Sequence, residues 1–63
     1  MAHIDGHAIA RMLAGAERRV EIWRGIDERL REAGELKGMD HSSGFAFHEG
    51  HRRLLVQIQE MMQ

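Results

Sequence analysis

Apolar residues recur at helical spacing through the first half of the chain. Ile9, Leu13, Ala16, Val20, Trp23 and Leu30 advance by threes and fours, with one longer step between Trp23 and Leu30. No stretch alternates apolar and polar residues with period two. Asp5 can cap the start, and Ala8, Ala10, Ala14 and Ala16 are strong helix formers. A first helix is therefore expected over about 5–34, roughly 29 residues and about 43 Å long. Gly34 and Gly38 compete for its end, because each can take the left-handed conformation that closes a helix. Lys37 suits a last turn, and Met39 could make the apolar contact that often accompanies a cap at Gly38.

The stretch "GMDHSSG" at 38–44 reads as a turn, made of glycine and of side chains that hydrogen-bond their own backbone. Ser42 or Ser43 is then the N-cap of a second helix over about 44–62, with the turn at about 35–43. Along that helix Phe47, His51, Leu54, Ile58 and Met61 step by four, three, four and three, and Leu55 and Met62 widen the same face. This face is expected to pack on the first helix. The pattern predicts an all-α fold, an antiparallel two-helix hairpin in one domain over 1–63.

One hairpin leaves a surplus. On a wheel of about 100° per residue, the first helix carries apolar residues over about half its circumference, from Leu13 and Val20 through Trp23, Met12 and Leu30 to Ile26, Ala33 and Ile22. A single neighbouring helix covers a narrower strip. Ile22, Ile26 and part of Trp23 would stay wet, and burying three such side chains is worth on the order of 5 kcal/mol, comparable to the stability of a small domain. Dimerisation of two hairpins into a four-helix bundle is the least demanding cover. The expected interface, with its own copy or with a larger protein, comprises Met12, Arg19, Ile22, Trp23, Ile26, Asp27 and Leu30. Arg19 intrudes on the stripe one turn before Trp23, and Asp27 sits at its edge one turn after. Arg19 either lays its stem on the apolar surface with its head in water, covers the Trp23 ring, or pairs with Asp27 across the interface.

Size and composition sharpen this picture. The chain has 63 residues, no cysteine and no proline, with 43% apolar and 30% charged residues. So short a chain needs a staple, and without cysteine neither disulfides nor thiolate metal sites can supply one. The missing proline favours long uninterrupted helices. No apolar run approaches a membrane span, and "MAHIDGHAIA" lacks the basic-then-apolar pattern of a signal peptide, so a cytoplasmic protein without membrane contact is expected. Residues 17–37 hold six acidic and six basic side chains. Most are read as a solvated face with weak ion pairs, among them Asp27–Arg31, Glu21–Arg24 and Glu28–Arg31.

The stretch "FAFHEGHRR" at 45–53 approaches the HExxH pattern of metalloproteases, but His48 and His51 stand three apart instead of four. Glu49 points to the far side, and no third ligand is in place. His3 and His7 form a separate pair at the other end of an antiparallel hairpin, and His51 falls in the apolar stripe. Neither a metal site, a cofactor nor an enzyme is expected. His41 beside Ser42 and Ser43 lacks an orienting carboxylate for a nucleophile–base pair. The expected role is a non-enzymatic, homodimeric interaction module that regulates, inhibits or adapts a larger protein, with Trp23 as anchor. Arg11, Arg18 and Arg29 lie together on the outer face of the first helix and support an alternative, a helical bundle that binds RNA or DNA. The net charge of -1 argues against binding mainly by charge.

Overall fold

The computed structural model describes residues 5–62. Helix α1 runs Gly6–Glu32 and α2 runs Ser43–Met61, and the two pack against each other as an antiparallel hairpin. Asp5 caps α1 by accepting a hydrogen bond from the His7 N–H at 3.0 Å, as expected of its position. Ser42, of the two candidate serines, caps α2 by accepting from the Phe45 N–H at 3.1 Å.

The end of α1 resolves the competition between the two glycines. The helix stops at Glu32, two residues before the expected end, with Ala33 as C-cap and Gly34 at φ 79°. Gly38 also takes positive φ, 58°, inside the turn. Both glycines are used, one to leave the helix and one to redirect the chain. Arg31 then ties the turn down, donating to the carbonyls of Gly38 at 3.1 Å and Asp40 at 2.8 Å. The expected helical pairing of Arg31 with Asp27 or Glu28 gives way to these bonds, which satisfy turn carbonyls that the helix cannot.

The core is small. Ile9, Ala16 and Leu55 form its buried centre, with Leu13 and Ile58 packed against it, and Val20 and Phe45 extend it toward the turn. Along α1 the inward series is Ile9, Leu13, Ala16, Val20, Trp23, Asp27 and Leu30, each buried or half-buried. The long step between Trp23 and Leu30 is filled by Asp27, which is only 3% exposed.

Along α2 the expected inward face is corrected in part: Leu55 and Ile58 pack on the core as expected, but three of its members do not. Phe47, Leu54 and Met61 are 71%, 53% and 84% exposed. The side chains that face α1 are one residue further along, Phe45, His48, Arg52, Leu55 and Gln59. The reason is a polar anchor at the turn that sets the rotation of α2 about its axis.

Candidate interaction surface

Asp27 is that anchor. One helical turn after Trp23 on α1, it reaches across to the start of α2, where its Oδ2 accepts the backbone N–H of Ser42 at 3.1 Å. His41 Nδ1 stands 3.6 Å from the same oxygen. Burial pushes the Asp27 carboxyl up, but hydrogen bonding by Ser42 and the charge and hydrogen bonding of His41 together hold it below its ordinary value. Its other oxygen, Oδ1, is buried without a hydrogen-bond partner among the described residues. A carboxylate in this position fixes which residue of the turn meets α1, and hence which face α2 turns inward.

Aromatic packing locks the same rotation. Phe45 is stacked by His41 at 4.5 Å between ring centroids, and the Arg24 guanidinium lies 6.0 Å above its ring. Trp23 lies over the backbone of Gly44 so closely that a Cβ there would fall 2.4 Å from the indole. No real side chain tolerates that distance, so the residue must be glycine unless the ring moves. Trp23 also stacks on His48 at 6.0 Å, and His48 meets Phe47 edge-on at 5.1 Å. The expected anchor of a partner site is therefore half-buried within its own hairpin. His48 Nδ1 is buried without a hydrogen-bond partner among the described residues.

With α2 rotated in this way, the two flanks of the helix pair differ in kind. On each helix, the residues one position before the inward series form a second line about 100° away. On α1 these are Ala8, Met12, Gly15, Arg19, Ile22, Ile26 and Arg29; on α2 they are Gly44, Phe47, His51, Leu54, Ile58 and Met61. Because the helices run in opposite directions, equal steps back bring both lines to the same side of the hairpin. The ring contacts from Trp23 through His48 to Phe47 lead from the inward series out to this side. This side carries Ile22 at 61% exposure together with Met12, Phe47, Leu54 and Met61.

The residues expected to form an interface divide accordingly. Met12 and Ile22 are exposed, Ile26 and Leu30 are half-buried, and Arg19 is exposed with its guanidinium folded back over Gly15. Arg19 covers neither Trp23, whose stacking partner is His48, nor Asp27, whose carboxylate is engaged by Ser42 and His41. The exposed line on α2 was missed because its spacing is as good for an inward face as the true one. The signal that distinguishes them is Asp27, an acid in an apolar series that needs a donor.

The opposite side is charged. Glu17, Val20, Glu21 and Arg24 of α1 border one shallow groove with Glu49 and Arg52 of α2. Arg24 pairs with Glu21, as the helical spacing predicts. Glu49 is held by Arg52, whose Nε donates at 3.0 Å, and by Arg53 at 3.3 Å. The Arg52 hydrogen bond is the main reason the Glu49 carboxyl lies below its ordinary value, against a smaller upward push from burial. Glu49 is thus committed to arginines, not placed as a base beside His48 and His51. Among the described residues no three His, Cys, Asp or Glu side chains are grouped to hold a metal ion; His3 lies outside them, and His7 is exposed. No helix among the described residues is long and apolar enough to cross a membrane. Compared with known proteins, the chain matches no family model, no curated protein and no solved structure.

Proposed function

We propose that this chain is a small, non-enzymatic protein-interaction module that works as a homodimer and regulates, inhibits or adapts a larger protein. The observation that carries the reading is the apolar flank shared by both helices, on which large side chains stay in water while the opposite flank is charged. Exposed apolar area concentrated on one side of a small protein marks a binding surface. Within that flank the α1 line, with Met12, Ile22 and Ile26 beside the edge of Trp23, is the surface offered to the larger partner. Arg19 and Arg29 interrupt it with charge that suits a partner bearing carboxylates.

Ile22→Glu tests this reading better than removal of Trp23, because Ile22 is mostly exposed and Trp23 holds the hairpin together. Affinity capture from native lysate with wild-type and Ile22→Glu baits should show one protein enriched by the first and lost from the second, at equal helicity. Identical capture by both baits would remove α1 from the binding surface.

A second reading, an RNA- or DNA-binding helical bundle, rests on Arg11, Arg18 and Arg29, all exposed on α1. A mobility shift with generic RNA or DNA that weakens steeply with salt would favour it.

A further inference from the structure

We infer that the outer line of α2, centred on Leu54, is where two copies of this chain meet, α2 against α2 across a two-fold axis. This deepens the proposed function by naming the self-association surface, and rests on that reading for the existence of a homodimer.

Phe47, His51, Leu54, Ile58 and Met61 repeat by four, three, four and three, the spacing with which one helix inserts side chains between those of another. The inward series of α2 is already occupied by α1, and since Ile58 alone of this line also packs on the core, its other members form an additional seam. Its three most exposed members, Phe47, Leu54 and Met61, are one heptad apart in sequence and stand on a single edge of the helix.

Charge decides which copy of which helix covers it. A two-fold axis places a surface against itself, so any charge near the axis meets its own like. The α1 line contains Arg19 at its middle and Arg29 near its end. Packing α1 on its own copy there would oppose two guanidinium groups, and packing it on α2 would bury one without a carboxylate. The α2 line has no ionisable side chain except His51, and Arg53 belongs to the opposite flank, where it pairs with Glu49. The α2 surface alone is compatible with itself.

Area agrees. With about 200 Å² as the full area of a large side chain, the exposed parts of Phe47, Leu54 and Met61 come to roughly 400 Å². The half-buried His51 and Ile58 with the neighbouring exposed Gln57 lie beside the three and extend the patch toward the roughly 800 Å² that a standard interface buries per partner. Leu54 is the midpoint of the line. In a fully overlapped two-fold pair it lies beside its own copy whichever way the second helix runs.

The absence of cysteine makes the test direct. Leu54→Cys should form a disulfide-linked dimer under mild oxidation, because the two Cβ atoms would approach the roughly 4 Å that such a bond needs. Glu17→Cys, on the charged side, should stay uncrosslinked at the same concentration. Independently, Leu54→Lys and Phe47→Gln should each weaken self-association by about tenfold or more. Helicity at low concentration should persist, since both residues are largely exposed in the hairpin.

A chain that dimerises while Leu54→Cys crosslinks no better than Glu17→Cys, and while Leu54→Lys changes nothing, overturns the α2 seam and leaves the homodimer standing. A chain that never dimerises removes both. Loss of dimer in Leu54→Lys with unchanged capture of a larger protein supports the seam and shows that the partner site is separate.

Discussion

Two neighbouring leucines on α2 have opposite fates. Leu55 is 2% exposed at the centre of the core, and Leu54, one residue earlier, is 53% exposed on the outer seam. The same contrast holds along the whole hairpin. The line one residue behind the inward series is mostly apolar, interrupted on α1 by Arg19 and Arg29, and the line one residue ahead is largely charged, with Glu17, Glu21, Arg24 and Glu28 on α1 and Glu49, Arg53 and Glu60 on α2. A lone hairpin needs only its inward series to be apolar, because both flanks face water. An asymmetric pair of flanks is what one half of a larger helical assembly requires. Self-association through the apolar flank is accordingly the reading that accounts for both lines.

The widest separation between the two leucines should appear on truncation. Leu55→Ala is expected to cost about 2–4 kcal/mol of hairpin stability through lost burial and a cavity. That is most of what so short a chain possesses. Leu54→Ala should leave the thermal midpoint of dilute protein nearly unchanged and lower it only where dimer forms. Circular dichroism melts at two concentrations distinguish the cases, and equal losses at both positions would erase the distinction between seam and core.

Gly44→Ala comes next. A methyl group there meets the indole of Trp23 at 2.4 Å, so the ring must move and with it the stacking on His48 that joins the two helices. A cost of about 1–3 kcal/mol is expected, with a red shift of Trp23 fluorescence as the ring becomes wetter. Gly25→Ala is the control, since a Cβ at Gly25 meets nothing within 4 Å, and it should stabilise α1 by about 0.5–1 kcal/mol.

Asp27 gives the comparison a pH axis. Its folded carboxyl lies below the ordinary value of 3.8, so the ionised form stabilises the hairpin above the unfolded value, and that contribution is lost as pH falls through the folded one. Thermal midpoints should therefore fall below about pH 4, and Asp27→Asn should flatten part of that fall by removing the titrating group. Glu49, lowered in the same direction by Arg52, contributes to the same window, so Glu49→Gln is measured alongside. An identical acid profile for wild type and Asp27→Asn would mean that the clamp carries no net charge preference.

The smallest effect belongs to the charged flank. Glu49→Gln breaks partly exposed pairs with Arg52 and Arg53, which are worth about 1 kcal/mol or less at neutral pH. It should leave self-association unaltered. A large loss of dimer in this variant would place the interface on the wrong side of the hairpin.

How much of this was legible follows from what each residue type can signal. The two helices, the turn expected at about 35–43 and the cap at Asp5 are written in local chemistry, and α1's inward series is nearly continuous in apolar residues. The rotation of α2 is not. Its true inward line contains His48, Arg52 and Gln59, whose long or flat side chains can lie against a neighbouring helix while their polar atoms reach outward. The alternative line, with Phe47, Leu54, Ile58 and Met61, looks more like a core. Periodicity identifies a helix and its candidate faces but does not rank two apolar lines about 100° apart. What ranks them is tertiary, the Asp27 carboxylate taking the Ser42 N–H and the fit of Trp23 over Gly44. The surplus apolar surface could be anticipated from α1 alone. Its larger share on α2 could not.

The most direct measurement is the mass of the native chain by multi-angle light scattering from low to high micromolar concentration. A weight rising from 7.3 kDa toward twice that value, with Leu54→Lys held at the lower figure, is the expected result. A wild-type chain that stays at 7.3 kDa throughout, its apolar flank in water, contradicts it.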